Sequence, residues 1–177
     1  MTSLETTLPF VLVLAYTPHT STAGPLLGPD LQAQTIFSKI YTTTGANSSV
    51  YGNALAGGVS TIAATGLVSA NLVSGGAATL GGLGTSGRNA TVSGSMLSGG
   101  VLTTGDHAVV RANITSRGAS TVGASSKIGG NMVSDGAPTT GASSRVGGNI
   151  QTGGAASIGA TVSLVGDIES AGVVLHG

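Results

Sequence analysis

A register of 18 residues runs through most of this chain, and it limits the possible folds more than any other feature. Written in blocks from Tyr41, the sequence reads YTTTGANSSVYGNALAGG and VSTIAATGLVSANLVSGG. After one longer block it continues VLTTGDHAVVRANITSRG, ASTVGASSKIGGNMVSDG, APTTGASSRVGGNIQTGG and AASIGATVSLVGDIESAG. The longer block, residues 77–100, has 24 residues and so carries six inserted ones, best placed at Gly82–Gly87, with the register resuming at Arg88. The segment VVLHG opens a further block at Val173. A short fixed period of this kind marks a solenoid, in which each repeat is one coil that hides its apolar face only by stacking on its neighbours.

The columns of this alignment differ in chemistry. Position 10 of the block is always aliphatic: Val50, Val68, Val92, Val110, Ile128, Val146 and Leu164. Position 14 is nearly so, with Ala54, Leu72, Met96, Ile114, Met132, Ile150 and Ile168. Position 18 is Gly in every full block, and position 5 in all but one. Short aliphatic segments between glycine-marked corners, with no 3.6-residue spacing, predict an all-β, three-sided β-solenoid of about 18 residues per coil, its coils about 4.8 Å apart. Strand alternation then points positions 4, 10, 14 and 16 inward, with position 2 as a small filler, and positions 1, 3, 9, 11, 13 and 15 outward.

Such a fold accounts for a composition that an ordinary domain would not. Charged residues are 7%, aromatics 3%, and 31 of the 177 residues are Gly, yet mean hydropathy is +0.39 and net charge zero, unlike a disordered chain. Coil-to-coil hydrogen bonds satisfy the backbone, so no thick aromatic core is needed. Six Lys and Arg in all leave no basic footprint for nucleic acid or anionic lipid.

Position 3 holds Thr43, Thr61, Thr79, Thr103, Thr121 and Thr139, then Ser157, and its outward neighbour at position 1 is Tyr, Val or Ala. The charges lie elsewhere: Arg111, Lys127 and Arg145 on the second face, Glu169 on the third. A flat, uncharged face of Thr and small aliphatics suits either ordered water, which makes these six threonines a candidate ice-binding face, or packing. Position 13 is Asn53, Asn71, Asn113, Asn131 and Asn149, with Ser95 and Asp167 as exceptions, and such a column predicts stacked amides hydrogen-bonded along the coil axis.

Before the repeats lies the strongly apolar run LPFVLVLAY, Leu8 to Tyr16. Nine residues are too few for a transmembrane helix, which takes about 20. The preceding MTSLETT carries Glu5 and no Lys or Arg, a poor start for a signal peptide, so the run reads as a β-strand apolar on both faces. The expected organisation is an N-terminal strand and arm over residues 1–24 and a solenoid over 25–177.

Catalytic signatures are thin. Gly82-Leu83-Gly84-Thr85-Ser86-Gly87 spells G-x-G-x-x-G, but within the insertion it lacks the strand before and helix after that a dinucleotide site requires. Asp106-His107 is the one adjacent acid–His pair, and no G-x-S-x-G occurs. His19, His107 and His176 fall apart in the block register, and there is no Cys, so no metal set and no cofactor is expected.

The pattern T-x-G-A-x-x-x-V-x-G-x-I, carried by the blocks from Val101 to Gly172, with the entry segment PLLGPDLQAQTIFSKIYTTTGANSSVYGN (25–53), resembles the microbial ice-binding-protein-like β-solenoid family. The segments VGGNI and VGDI are similar to bactofilins, solenoids that polymerise end to end. The resemblance implies a right-handed, non-enzymatic solenoid, extracellular or at the cell surface, whose partner is ice or another copy of itself. The chain departs from the first family in having no helical stretch to lie beside the solenoid, and from bactofilins in its low charge. Between the two partners the expectation here is a self-assembling filament subunit. The spare strand, with Leu8, Phe10, Val11, Leu12, Val13, Leu14 and Tyr16, and the apolar partial coil with Val173, Val174 and Leu175 fit each other as a β-augmentation pair between copies.

Overall fold

The computed structural model describes residues 26–80 and 89–177, and over them the chain is a three-sided parallel β-solenoid of about eight coils. Each full coil contributes one short strand to each of three sheets. The first sheet has nine strands, from Leu26–Leu27 and Tyr41–Thr44 to Val174–His176. The second runs in eight strands from Gln32–Ala33 to Ser163–Leu164, and the third in eight from Ile36–Ser38 to Ile168–Ser170. Neighbouring strands pair in parallel, in most coils at the 18-residue offset, as in Thr121 beside Thr139, Lys127 beside Arg145 and Met132 beside Ile150. No helix occurs among the described residues. The expected strand Leu8–Tyr16 and its arm, and the insertion Gly82–Gly87, lie outside them.

The longer block keeps its place in the stack. Thr79 pairs with Thr61 on one side and Thr103 on the other, and Thr91 pairs with Leu67 and Val109. The extra residues thus fall between Leu80 and Asn89, and the register is kept on both sides of them. The first coil departs the other way: Ala33 lies beside Val50, 17 residues on, but Ile36 lies beside Ala54, 18 on. Its spacing changes by one residue at the corner between the second and third faces.

Inside, the pattern is half aliphatic and half hydroxyl. The coil of residues 119–136 buries Ser120, Val122, Ser126, Ile128, Met132 and Ser134, which are positions 2, 4, 8, 10, 14 and 16. Position 8 is the addition to the inward set expected from alternation. Its side chains, Ser48, Ala90, Ala108, Ser126 and Ser144, are small because they fill the angle of the first corner. The position-16 hydroxyls brace the stack. Ser98 donates to the Gly76 carbonyl at 2.6 Å, Ser116 to Gly100 at 2.7 Å, Ser134 to Gly118 at 2.7 Å and Thr152 to Gly136 at 2.6 Å. Each bond ties the third strand of one coil to the corner of the coil before it.

Candidate functional site

Three features are placed where a partner can reach them: the threonine face, the asparagine corner and the C-terminal rim. On the first sheet Thr43, Thr61, Thr79, Thr103, Thr121 and Thr139 form one unbroken in-register ladder, with Ser157 following. Their side chains point outward and range from half-buried to exposed. Beside them stand exposed Val59 and Val101 and the small Ala77, Ala119, Ala137 and Ala155, so the face carries no charge along this ladder.

The asparagine column is a ladder with a direction. The Asn53 Oδ1 accepts the Asn71 backbone N–H at 2.9 Å, and the Asn71 Oδ1 accepts that of Ser95 at 2.8 Å. After the weaker Ser95 rung at 3.3 Å, Asn113, Asn131 and Asn149 accept the N–H of Asn131, Asn149 and Asp167 at 2.9, 2.9 and 3.0 Å. The column does stack along the axis, but the bond is chiefly from backbone to side chain; only Asn71 also donates its amide, to Asn53 at 3.3 Å. Every rung offers its oxygen toward the C-terminal end. Asp167 stands on the last rung, with a carboxylate in the place from which its predecessors accept an N–H.

That end is open. The strands Ser163–Leu164, Ile168–Ser170 and Val174–His176 are the outermost of their sheets. Val162, Leu164 and Ile168, whose equivalents in lower coils are buried, are only partly covered. Val174 is 43% exposed although it lies at an inward position, and the outward Val173 and Leu175 are 65% and 61% exposed. Of the ten residues expected to carry assembly, these three are therefore placed together on one rim, and Leu8 to Tyr16 lie outside the described residues.

The candidate chemistry elsewhere is absorbed by the scaffold. The Asp106 Oδ1 accepts the Ala124 N–H at 2.9 Å, one coil on, and His107 occupies a left-handed corner with φ 56°. A shallow groove of about 200 Å³ lies on the corner between the second and third faces, lined by Asn131, Val133, Asn149, Ile150, Gln151, Asp167 and Glu169. Its Gln151 Nε2 donates to Glu169 at 2.8 Å and its asparagines serve the ladder, so it joins two carboxylates to no histidine or hydroxyl nucleophile. No group of three His, Asp or Glu among the described residues is arranged to hold a metal ion. No described helix is long and apolar enough to cross a membrane. Comparison with known protein families, with curated proteins and with solved structures found no match.

Proposed function

We propose that this chain is a structural, non-enzymatic subunit that assembles with copies of itself into filaments, by strand exchange and end-to-end contact, outside the cell or at its surface. The observation that carries the reading is the C-terminal rim. The outermost described strands of the three sheets lie there, core side chains are half uncovered, and Asp167 presents an acceptor aligned with a ladder already used on six lower rungs. An unpaired sheet edge templates another strand unless it is covered. Covering Val162, Leu164, Ile168 and Val174 contributes up to ~1.5–3 kcal/mol for each side chain fully removed from water, and each edge hydrogen bond adds a net ~0.5–1.5 kcal/mol. A contact between one rim and a different surface of the next copy is heterologous, and so propagates rather than closes. The extracellular setting rests on the family resemblance alone.

The test is the size of the full chain across a concentration range, by size-exclusion chromatography and negative-stain microscopy. Filaments that disappear with Leu164→Lys, while the β-sheet signal in circular dichroism persists, support the reading. A full-length protein that stays monomeric up to millimolar concentration overturns it.

The threonine ladder favours a second reading, an ice-binding protein working through the first face. Six hydroxyls in one in-register row, repeating at about 4.8 Å along the first sheet, form the kind of regular uncharged lattice that can order water. Thr103→Lys with Thr121→Lys should abolish ice shaping without unfolding the chain. Absence of ice shaping and thermal hysteresis in the unmodified protein leaves the ladder a structural feature.

A further inference from the structure

Charge is scarce in this chain and unevenly placed. Of its six Lys and Arg, the three on the second face, Arg111, Lys127 and Arg145, come from successive coils, and all are exposed. Lys127 lies directly beside Arg145 in the parallel pairing, which sets two like charges on backbones about 4.8 Å apart. Like charges at facing positions of neighbouring strands oppose the pairing. No carboxylate on the face offsets them: its outward positions, 9 and 11, hold no Asp or Glu in any coil from Tyr41 on. Asp106 stands at the corner leading into the face, where its Oδ1 accepts the Ala124 N–H. Beside the two cations position 11 is Gly129 and Gly147, so no bulky side chain keeps a second surface away from them.

The opposite sign collects around the next corner. Asp167 and Glu169, both exposed, border the groove of about 200 Å³ between the second and third faces, whose lining includes the apolar Val133. Gln151 donates to one Glu169 oxygen, Oε2, and a carboxylate accepts through both. Asp135, another acid of the third face, has Arg117 one coil below it in the same column, so these two offset each other. The groove is therefore net negative and the second face net positive.

We propose that the second face of one copy docks on this groove of another, with Lys127 and Arg145 pairing to Glu169 and Asp167 of the second copy. Long cationic side chains suit the groove, because their stems cover apolar surface such as Val133 while the charged heads reach the carboxylates. An Arg also matches a carboxylate with two parallel N–H donors. A second copy is the occupant that the charges favour: one chain carries both halves of the contact, and its net charge of zero sets up no overall repulsion between copies. The inference extends the self-assembly reading from the ends of the solenoid to its sides, and rests on that reading only in taking another copy as the partner.

The test uses two charge-reversed full-length chains, Lys127→Glu with Arg145→Glu, and Gln151→Lys with Glu169→Lys. Asp167 is left alone because it receives the last bond of the asparagine ladder. All four substituted positions are exposed, and circular dichroism melting checks that both variants keep the fold. Association is followed by sedimentation velocity and light scattering from about 0.02 M to about 1 M salt, where the screening length falls to ~3 Å. The parent should associate at low salt and lose at least about tenfold in apparent affinity at high salt. Each variant alone should stay dispersed, and their equimolar mixture should associate as the parent does, since each then meets a surface of opposite sign. Association of either variant alone at the parent's level overturns the proposal, as does a mixture of folded variants that stays dispersed. A parent dispersed at low salt overturns it too, and retention of that parent on a sulfated resin would assign the cations to a foreign polyanion. The end-to-end contact is scored separately, because apolar burial and backbone pairing outlast salt. Filaments that persist at high salt but never associate sideways at low salt defeat only the lateral contact, whereas lateral association without filaments defeats only the filament reading.

Discussion

At position 7 of each coil the backbone passes through the left-handed region on a residue that carries a side chain: Asp30, Asn47, Thr65, Asn89, His107, Ser125, Ser143 and Thr161, with φ between 52° and 63°. This conformation turns the position-7 N–H along the solenoid axis, so that Asn47 donates to the Ala64 carbonyl, His107 to Ala124 and Ser125 to Ala142, at 3.1, 2.9 and 2.9 Å. Asn and Asp tolerate the region best, while a β-branched residue is strained there. Short polar side chains compensate by bonding along the column, as between Thr65 and Asn47 and between Ser143 and Thr161. Replacing Thr65 by Asn should therefore raise stability by ~0.5–1 kcal/mol, read as a higher urea midpoint at unchanged slope; an equal or lower midpoint would show the strain to be absorbed elsewhere. The sequence analysis does not single out this column, because its residues share no type beyond the absence of aliphatics. The corner glycines attract attention instead, and they serve the close approach of coils. The interior also leaves polar groups unmet: the hydroxyls of Thr44, Ser60, Ser120 and Thr140 have no hydrogen-bond partner among the described residues.

At the level of the element, a coil is a three-strand unit whose strands are two to four residues long, too short to persist alone, so its stability is that of its contacts with the coils on either side. The asparagine ladder is one such contact and can be tested directly. Asn131→Ala removes the acceptor of the Asn149 N–H and should cost ~0.5–1.5 kcal/mol, whereas Asn131→Asp keeps an oxygen in place and should cost less; equal losses would assign the column's role to packing. The insertion at Gly82–Gly87 gives a second test. Because strands on both sides of it pair in register with both neighbouring coils, deleting Gly82–Gly87 should leave the thermal midpoint nearly unchanged, and a large fall would reveal a packing role for the loop. Coil length, the three faces and the inward columns 2, 4, 10, 14 and 16 could all be read from the 18-residue register, since a parallel stack makes every column a physical line of contacts. What could not be read depends on local geometry that periodicity does not encode: the small inward position 8, the altered spacing after Ala33, and the backbone-to-side-chain form of the asparagine bonds.

For the whole molecule the question is how the coils could continue into those of another copy. The outermost described strands on its C-terminal side leave Leu164 and Ile168 half covered, and the asparagine ladder points its oxygens the same way. The partial block VVLHG and the unplaced apolar strand could be read from the sequence; the direction of the asparagine ladder could not, because it depends on the backbone-to-side-chain form of the bonds. A nine-residue segment with Leu8, Phe10, Val11, Leu12, Val13, Leu14 and Tyr16 must find cover, since burying each large side chain is worth ~1.5–3 kcal/mol against ~1–2 kcal/mol per residue to order it. Two surfaces compete for it. One is the open rim of a neighbour, which adds backbone pairing to apolar contact. The other is the molecule's own third face, where Phe37, Leu55, Val73 and Leu97 stand in register and Phe37 and Leu97 are exposed. Pairing favours the neighbour, because the third face offers side chains but no free strand edge along that row. Removing residues 1–24 should then give a solenoid that melts cooperatively yet elutes as a monomer at concentrations where the full chain forms filaments. Filaments that persist after the truncation would refute strand exchange, and a truncated chain that is monomeric but strongly destabilised would instead assign the segment to its own third face.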